Sequence, residues 1–234
     1  MFENVSAGLP PLPFRLLQLR AGPHENFHYV VGDPATGEAA AVDPAFELER
    51  LFGAAVAAGL EVRTAWFTHG HWDHIGGVPE IAEHDVQEIV LHEAAAGHAK
   101  VQEAEAAGLR VRLAKDGDRF DLGSLRAELL HTPGHQPEGS CFLVGDAAPG
   151  QQVLLGGDTL FVDSCGRTDF PGGDTDAMFA SMDLLRQLPG ATVVLPGHDY
   201  ADRAWDTLAS QVERNPALAT RERGAFGELY CLTH

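Results

Sequence analysis

The stretch THGHWDHIGG, residues 68–77, concentrates side chains that bind metal ions and ends on two glycines. It follows a strand-like segment, residues 62–67. In extended backbone, side chains two positions apart point the same way, so His69 and His71 can face one metal ion together. The candidate ligands within the stretch are His69, His71, Asp73 and His74. A metal site is therefore the first expectation from this sequence.

Three more candidate ligands lie just past other strand-like segments. They are His135 in HTPGH, Asp158 in GGDTLF and His198 in PGHDY. A single histidine or aspartate in a turn is usually a capping or hydrogen-bonding residue. Strand ends can meet along one edge of a layered fold, however, so these residues together with residues 68–77 predict one polydentate metal pocket.

Strand-like and helical segments alternate in two comparable halves of the chain. The predicted strands are 27–31, 38–42, 62–67, 125–131, 140–146, 151–158 and 191–197, and the predicted helices are 48–60, 93–107, 175–188 and about 205–214, with a further helical start at 78–84. Two such halves predict two packed sheets with helices outside. Because no linker separates the halves, we expect an α/β fold, a single αββα sandwich domain over residues 1–234.

Composition restricts the partners of this chain. It has 234 residues and a formal charge of −18, from 34 acidic and 16 basic residues. Such a field repels nucleic acid and anionic membranes, so we expect neither as a partner. An anionic substrate would need a local cation, and Arg167 is the candidate.

The cysteines and the N-terminus favour the cytoplasm. Three widely spaced cysteines without a C-x-x-C pair indicate neither a disulfide framework nor a thiolate zinc site. An acidic Glu3 and several prolines argue against an export signal, and no apolar stretch approaches membrane-spanning length. The sequence does not predict an oligomeric state.

The order H-x-H-x-D-H, then His135, Asp158 and His198, resembles the metallo-β-lactamase fold over about residues 27 to 200. The resemblance implies two mixed sheets flanked by helices and a metal site at their edge. Within that superfamily, GDTLFVDSCGRTDFPGGD and PGHDY resemble the persulfide dioxygenases and, more loosely, the glyoxalase II thioesterases. The string CGRTDF favours the dioxygenases.

Resemblance to the dioxygenases implies one Fe²⁺ per chain, held by His69, His135 and Asp158. Such a triad leaves open positions for oxygen and a persulfide sulfur. The expected activity is oxidation of glutathione persulfide, or a similar small persulfide, with O₂ to sulfite and thiol. The residues then expected to orient the ligands are His71, Asp73, His74 and His198, and we assign Asp73 a catalytic role.

A dinuclear hydrolase is the alternative. Here His69, His71 and His135 hold one metal ion, Asp73, His74 and His198 hold a second, and Asp158 bridges them. Two Zn²⁺ ions, or a mixed pair, would activate water against a glutathione thioester or a related ester or lactone. Trp72 and the pair Gly76 and Gly77 are closer to the hydrolase pattern. The glyoxalase II relatives carry an additional helical domain after the last metal histidine, which we expect to be missing here.

Other residues of the site are open to two interpretations. Resemblance to the dioxygenases implies that Arg167 lies near the glutathione part of the substrate, whereas it could instead pair with Asp169 in a turn. The hydroxyl of Tyr200 could reach the substrate, or its ring could pack. We expect Cys165 to be structural. The histidines expected to be surface or structural residues are His24, His28, His84, His92, His98, His131 and His234.

Overall fold

Two six-stranded sheets form the centre of the protein, which is described by a computed structural model over residues 9–145 and 152–231. The first sheet uses the strands in chain order: β1 Arg15–Ala21, β2 Asn26–Gly32, β3 Glu38–Val42, β4 Glu61–Trp66, β5 Glu88–His92 and β6 Arg110–Ala114. Strands β1 to β3 pair antiparallel, and β3 to β6 pair parallel. The absence of an export signal was inferred partly from residues 1–8, which lie outside the described residues.

The second sheet is built from the second half of the chain. Its strands and those of a small hairpin are β7 Arg119–Leu122, β8 Leu125–His131, β9 Ser140–Gly145, β10 Gln152–Gly157, β11 Leu160–Phe161, β12 Ser164–Cys165, β13 Val193–Pro196 and β14 Asp206–Thr207. The spatial order is β14-β13-β10-β9-β8-β7, and β11 pairs with β12 separately. The prediction of two sheets from two halves is confirmed.

Helices cover the outer face of each sheet. They are α1 Leu48–Ala57, α2 Trp72–Ile75, α3 Val78–Ile81, α4 Ala99–Ala106, α5 Thr175–Leu185, α6 Leu208–Arg214, α7 Pro216–Ala219 and α8 Arg223–Cys231. Apolar side chains of α1 to α4 pack on the first sheet, and those of α5 to α8 pack on the second. The predicted αββα arrangement is therefore confirmed. No helix among residues 9–145 and 152–231 is long and apolar enough to cross a membrane.

The two sheets bury a common apolar layer between them. In β2, Phe27, Tyr29 and Val31 point into this layer, whereas Val30 faces the helices, because successive side chains of a strand alternate between its faces. Trp66, at the end of β4, is fully buried in the layer. The layer fixes the strand that leads directly into residues 68–77.

Some predicted element bounds were wrong. The expected helix over 93–107 is a short 3₁₀ helix, Glu93–Ala95, followed by α4, because His98 caps α4 by accepting a hydrogen bond from the backbone of Lys100. The last predicted helix begins at Leu208 rather than near 205, since Thr207 caps it after pairing in β14. The elements that were not predicted are β1, β5, β6, β7, β11, β12 and β14 and the helices α2, α7 and α8.

The carboxyl ends of several parallel-running strands meet at one edge of the sandwich. Strands β8, β10 and β13 run in the same direction. A backbone hydrogen bond from Ser140 to the carbonyl of Thr68, 2.9 Å, joins the two sheets there. A bridge between Asn26 and His198 makes a second connection. All seven candidate ligands follow strand ends at this edge.

Candidate metal centre

The seven candidate ligands converge in two adjoining groups. The first contains His69, His71, His135 and Asp158, and the second contains Asp73, His74 and His198. Within each group, one ligand atom of every residue lies within 4.8 Å of the others. The structure thus brings together all the residues that the sequence predicted as ligands.

Ring nitrogens face each other in the first group. Nδ1 of His71 lies 3.1 Å from Nε2 of His69 and 2.9 Å from Nε2 of His135. Oδ2 of Asp158 lies 3.5 Å from the same nitrogen of His135. Metal–nitrogen bonds of about 2.0–2.1 Å would place neighbouring ligand atoms roughly 3–3.4 Å apart. The group therefore fits one cation.

The second group has the same character. Nε2 of His74 lies 3.1 Å from Nε2 of His198, and Oδ2 of Asp73 lies 3.8 Å and 3.7 Å from these two nitrogens. The amide of Asn26 donates to Oδ2 of Asp73 at 3.0 Å and holds the carboxylate in place. This group fits a second cation.

Asp158 lies between the groups. Its Oδ1 is 3.2 Å from Nε2 of His74 and 3.3 Å from Nε2 of His198, whereas its Oδ2 faces His135. Oδ1 is buried and accepts no hydrogen bond. Burying a carboxylate oxygen without a partner is costly, so its environment suits a bound cation.

Backbone carbonyls orient two ligand histidines. Nδ1 of His135 donates to the carbonyl of Arg167 at 2.7 Å, and Nδ1 of His198 donates to the carbonyl of His24 at 2.8 Å. A ring that carries its proton on Nδ1 presents the lone pair of Nε2. Both rings therefore offer Nε2 to the centre.

The carboxylate of Asp43 orients the ring of His74 in the same way as the backbone carbonyls orient His135 and His198. Asp43 was not predicted from the sequence as part of the site. Its Oδ2 accepts from Nδ1 of His74 at 2.9 Å and from the hydroxyl of Thr68 at 2.6 Å, and its Oδ1 accepts from the backbone of Thr68 at 2.7 Å. One buried carboxylate thus fixes both the start of residues 68–77 and a ligand within them. Asp43 directly follows β3, which is the same signal that marked the other candidates.

Two residues that follow His135 contact a side chain of the first ligand group and the backbone beside it. The amide of Gln136 lies 2.9 Å from Nε2 of His71, and Oε1 of Glu138 accepts from the backbone of Gly70 at 3.0 Å. Neither residue was predicted as part of the site. Their contacts hold the backbone at Gly70 and the ring of His71, so that His69 and His71 face the same ligand group.

Charges at the centre are strongly coupled. Burial works to raise the pKa of Asp158, yet His74 and His198 hold it well below its usual value. Burial works to lower the pKa of His74, but Asp158 and Asp43 raise it well above the ordinary range. Burial and His74 lower the pKa of His69 well below its ordinary value. The cluster thus holds an ionised carboxylate and, at His69, a neutral imidazole.

A pocket of about 660 Å³ opens over both groups. The residues of its wall outside the groups are His24, Trp72, Phe161, Ser164, Cys165, Gly166, Arg167, Phe170, Pro171 and Tyr200. The string CGRTDF, residues 165–170, therefore borders the centre. A pocket of this size has room for a small organic substrate.

Arg167 makes the pairing that the sequence left open as its alternative. Its Nε donates to Oδ1 of Asp169 at 2.6 Å, and a second contact joins the same two side chains. Its guanidinium lies 4.3 Å from the centre of the Phe170 ring. Its role in substrate binding stays a prediction, because a substrate carboxylate would have to compete with Asp169.

Tyr200 and Cys165 also line the pocket. The ring of Tyr200 stacks on His198 at 4.7 Å and 7°. Burial and the carboxylate of Asp158 raise its pKa to about 12, so the phenol keeps its proton. Cys165 is buried in β12. The contact of the Tyr200 hydroxyl with substrate stays a prediction.

Among the remaining histidines, His24 lines the pocket, although it was expected to be a surface or structural residue. His131 stacks on His92 at 3.7 Å, away from the ligand groups. His234 lies outside the described residues.

Comparisons with known proteins agree with this arrangement. The family model of the Metallo-beta-lactamase superfamily matches residues 23–198. A hydroxyacylglutathione hydrolase from Polaromonas sp. is 33% identical over 199 residues, covering 84% of this chain and 71% of that protein. The crystal structure of ETHE1 from Myxococcus xanthus is similar with a TM-score of 0.76 and 31% identity, over 94% of this chain and 90% of that chain. The crystal structure of TTHA1623 in a di-iron-bound form is similar with a TM-score of 0.66 and 31% identity, over 86% and 98%.

Proposed function

Because the chain belongs to the metallo-beta-lactamase superfamily, we propose that it is a hydrolase that holds two metal ions and cleaves a thioester of a small thiol such as glutathione. The position of Asp158 between the two ligand groups carries the proposal, since one oxygen faces each group. In the reaction the carbon–sulfur bond breaks, the oxygen of water bonds to the carbonyl carbon, and the leaving thiolate takes up a proton.

The residues that would hold the first ion are His69, His71, His135 and Asp158, and those for the second are Asp73, His74, His198 and Asp158. When bound, such cations polarise a carbonyl and make water acidic enough to attack near neutral pH. We assign Asp73, which lines the pocket, to accept the proton that water loses.

The position of His71 argues against the three-residue iron site that the sequence favoured. In the single-iron arrangement favoured by the sequence, His71 only orients other ligands. Its Nδ1 instead lies among the ligand atoms, 3.1 Å from His69 and 2.9 Å from His135. We therefore place the hydrolase before the dioxygenase.

The name of the Polaromonas relative supports a glutathione thioester as substrate. The experiment is a paired assay on protein purified without added metal. We expect about two metal ions per chain by mass spectrometry and release of free thiol from S-lactoylglutathione or another acylglutathione. One iron per chain, with oxygen consumed and sulfite formed from glutathione persulfide but no thioester cleavage, would overturn the hydrolase.

Persulfide oxidation is the second candidate, because a specific observation favours it. The similarity to the structure of ETHE1 extends over 90% of that chain. The string CGRTDF, which carried the resemblance in sequence, forms part of the pocket wall. In this candidate His69, His135 and Asp158 would hold a single Fe²⁺.

Replacing Asp73 with alanine separates the two candidates. In the hydrolase the change removes a ligand of the second ion, so we expect the metal content to fall from about two to about one per chain and thioester cleavage to fall with it. Metal analysis and thiol release measure both. An unchanged metal content near one iron, with oxygen uptake merely reduced, would favour the dioxygenase.

Asp43→Asn tests the residue behind His74. The amide keeps the size of the side chain but removes the charge that orients the ring, and such changes behind a ligand cost about 10- to 100-fold in metal affinity or activity. Competition with a chromophoric chelator measures the affinity. Asp33→Asn is the control, because Asp33 is a buried carboxylate that binds Ser124 far from the centre. Equal metal affinity in wild type and Asp43→Asn would contradict the role.

A further inference from the structure

Three aromatic side chains around the ligand groups keep much of their surface exposed. Trp72 is 56% exposed, Phe170 39% and Tyr200 58%. All three line the pocket. Aromatic surface left open in a concave site, beside a few polar groups, marks the place where an apolar part of a ligand binds.

These rings stand directly beside the metal ligands. Phe170 contacts His71 and His135 edge-on, at 5.7 Å and 5.9 Å between ring centres. Tyr200 stacks on His198, and Trp72 follows His71 in the chain. A group bonded to the reacting carbonyl carbon would therefore meet aromatic surface on several sides.

Neighbouring side chains hold the rings in place. Trp72 packs edge-on against Phe46 at 5.7 Å and against His24 at 5.4 Å. Tyr200 also packs on Phe161 at 5.4 Å. Because these contacts order the rings before substrate arrives, little further ordering opposes binding.

Among the described residues of the pocket wall outside the two ligand groups, no unpaired permanent positive charge is available to an acidic acyl group. Arg167 carries the single permanent positive charge among those residues, and Asp169 pairs with it. The chain as a whole carries −18. A neutral apolar group needs no cation to pair with and is not repelled by the negative charge of the chain.

We propose that the pocket selects thioesters whose acyl group is aromatic and uncharged, with Trp72, Phe170 and Tyr200 forming its binding surface. This inference rests on the proposed hydrolase activity and names its substrate class.

The test compares two thioesters of one thiol, phenylacetylglutathione and lactoylglutathione. We expect kcat/KM to favour the phenylacetyl compound by about 10-fold or more, the scale of burying one aromatic ring. Trp72→Ala and Phe170→Ala should remove most of this preference. Leu184→Ala should keep it, because Leu184 is also 39% exposed but lies on α5 outside the pocket wall.

Binding of the acid products gives a readout that does not need turnover. Phenylacetate should bind the metal-loaded protein at least about 10-fold more tightly than lactate by calorimetry, and Trp72→Ala should abolish the difference. If neither thioester is cleaved but this difference is present, the hydrolase fails and the aromatic subsite stands. Equal affinities, a preference for the lactoyl compound, or a preference unaffected by Trp72→Ala and Phe170→Ala would overturn the subsite.

Discussion

Asp158→Ala should yield a protein that retains no metal and cleaves thioester at least about 1000-fold more slowly than the wild type. The reason is its position: among the described residues, Asp158 is the one side chain whose two oxygens face both ligand groups. Bound cations contribute several kcal/mol of transition-state stabilisation, and each 1.36 kcal/mol is a factor of ten in rate. Metal analysis and thiol release measure the two effects.

Two comparisons make this result interpretable. Asp158→Asn keeps the shape of the side chain, so it controls for a folding defect, and circular dichroism checks the fold of both variants. Asp202→Ala removes a carboxylate that is 84% exposed and should change neither quantity. Two tightly bound metal ions in folded Asp158→Ala protein would contradict the shared-ligand arrangement.

Trp66→Ala should lower the free energy of unfolding of the metal-free protein by about 3–5 kcal/mol, as expected for removing a large aromatic side chain from a packed core. Trp66 is 0% exposed and stacks on Phe142 at 5.1 Å, with Phe120 at 5.5 Å. It joins the two sheets through their common apolar layer. Urea unfolding followed by circular dichroism, with chelator present, measures the loss.

Trp72→Ala is the matched control for stability. It removes the same side chain from an exposed position, so the unfolding midpoint should change little. Similar midpoints for Trp66→Ala and wild type would show that the layer between the sheets rearranges to fill the space.

Sequence periodicity predicted every interior strand of the two sheets except β5, whereas the edge strands β1, β6, β7 and β14 were missed. The strand 125–131 has the predicted bounds, as does 38–42. Strand β6, Arg110–Ala114, was missed because it lies at the edge of its sheet and its charged residues interrupt the apolar pattern. The helix expected over 93–107 failed at Gly97 and His98, where a local hydrogen bond starts a new helix.

The ligand residues could be predicted because several metal-binding side chains follow strand ends in one chain. Asp43 follows a strand as the other candidates do, but it lies outside the order H-x-H-x-D-H, His135, Asp158 and His198 that singled them out, and a single aspartate after a strand is a common turn residue. Its role depends on a contact with His74 that only the packing of β3 against β4 creates. The grouping of Trp72, Phe170 and Tyr200 around one pocket was not predicted either, because the three residues are far apart in sequence.

The division of the chain into two sheets has a thermodynamic consequence. The first sheet ends at Ala114 and the second begins at Arg119, and each ligand group takes residues from both sides of this point. An ion bound by either group would thus be a reversible cross-link between the halves. By mass action, every tenfold rise in free metal above its dissociation constant adds about 1.4 kcal/mol to the stability of the folded state for each such site. The supply of metal in the surroundings would therefore set the free energy of unfolding of the chain, independently of any catalysis.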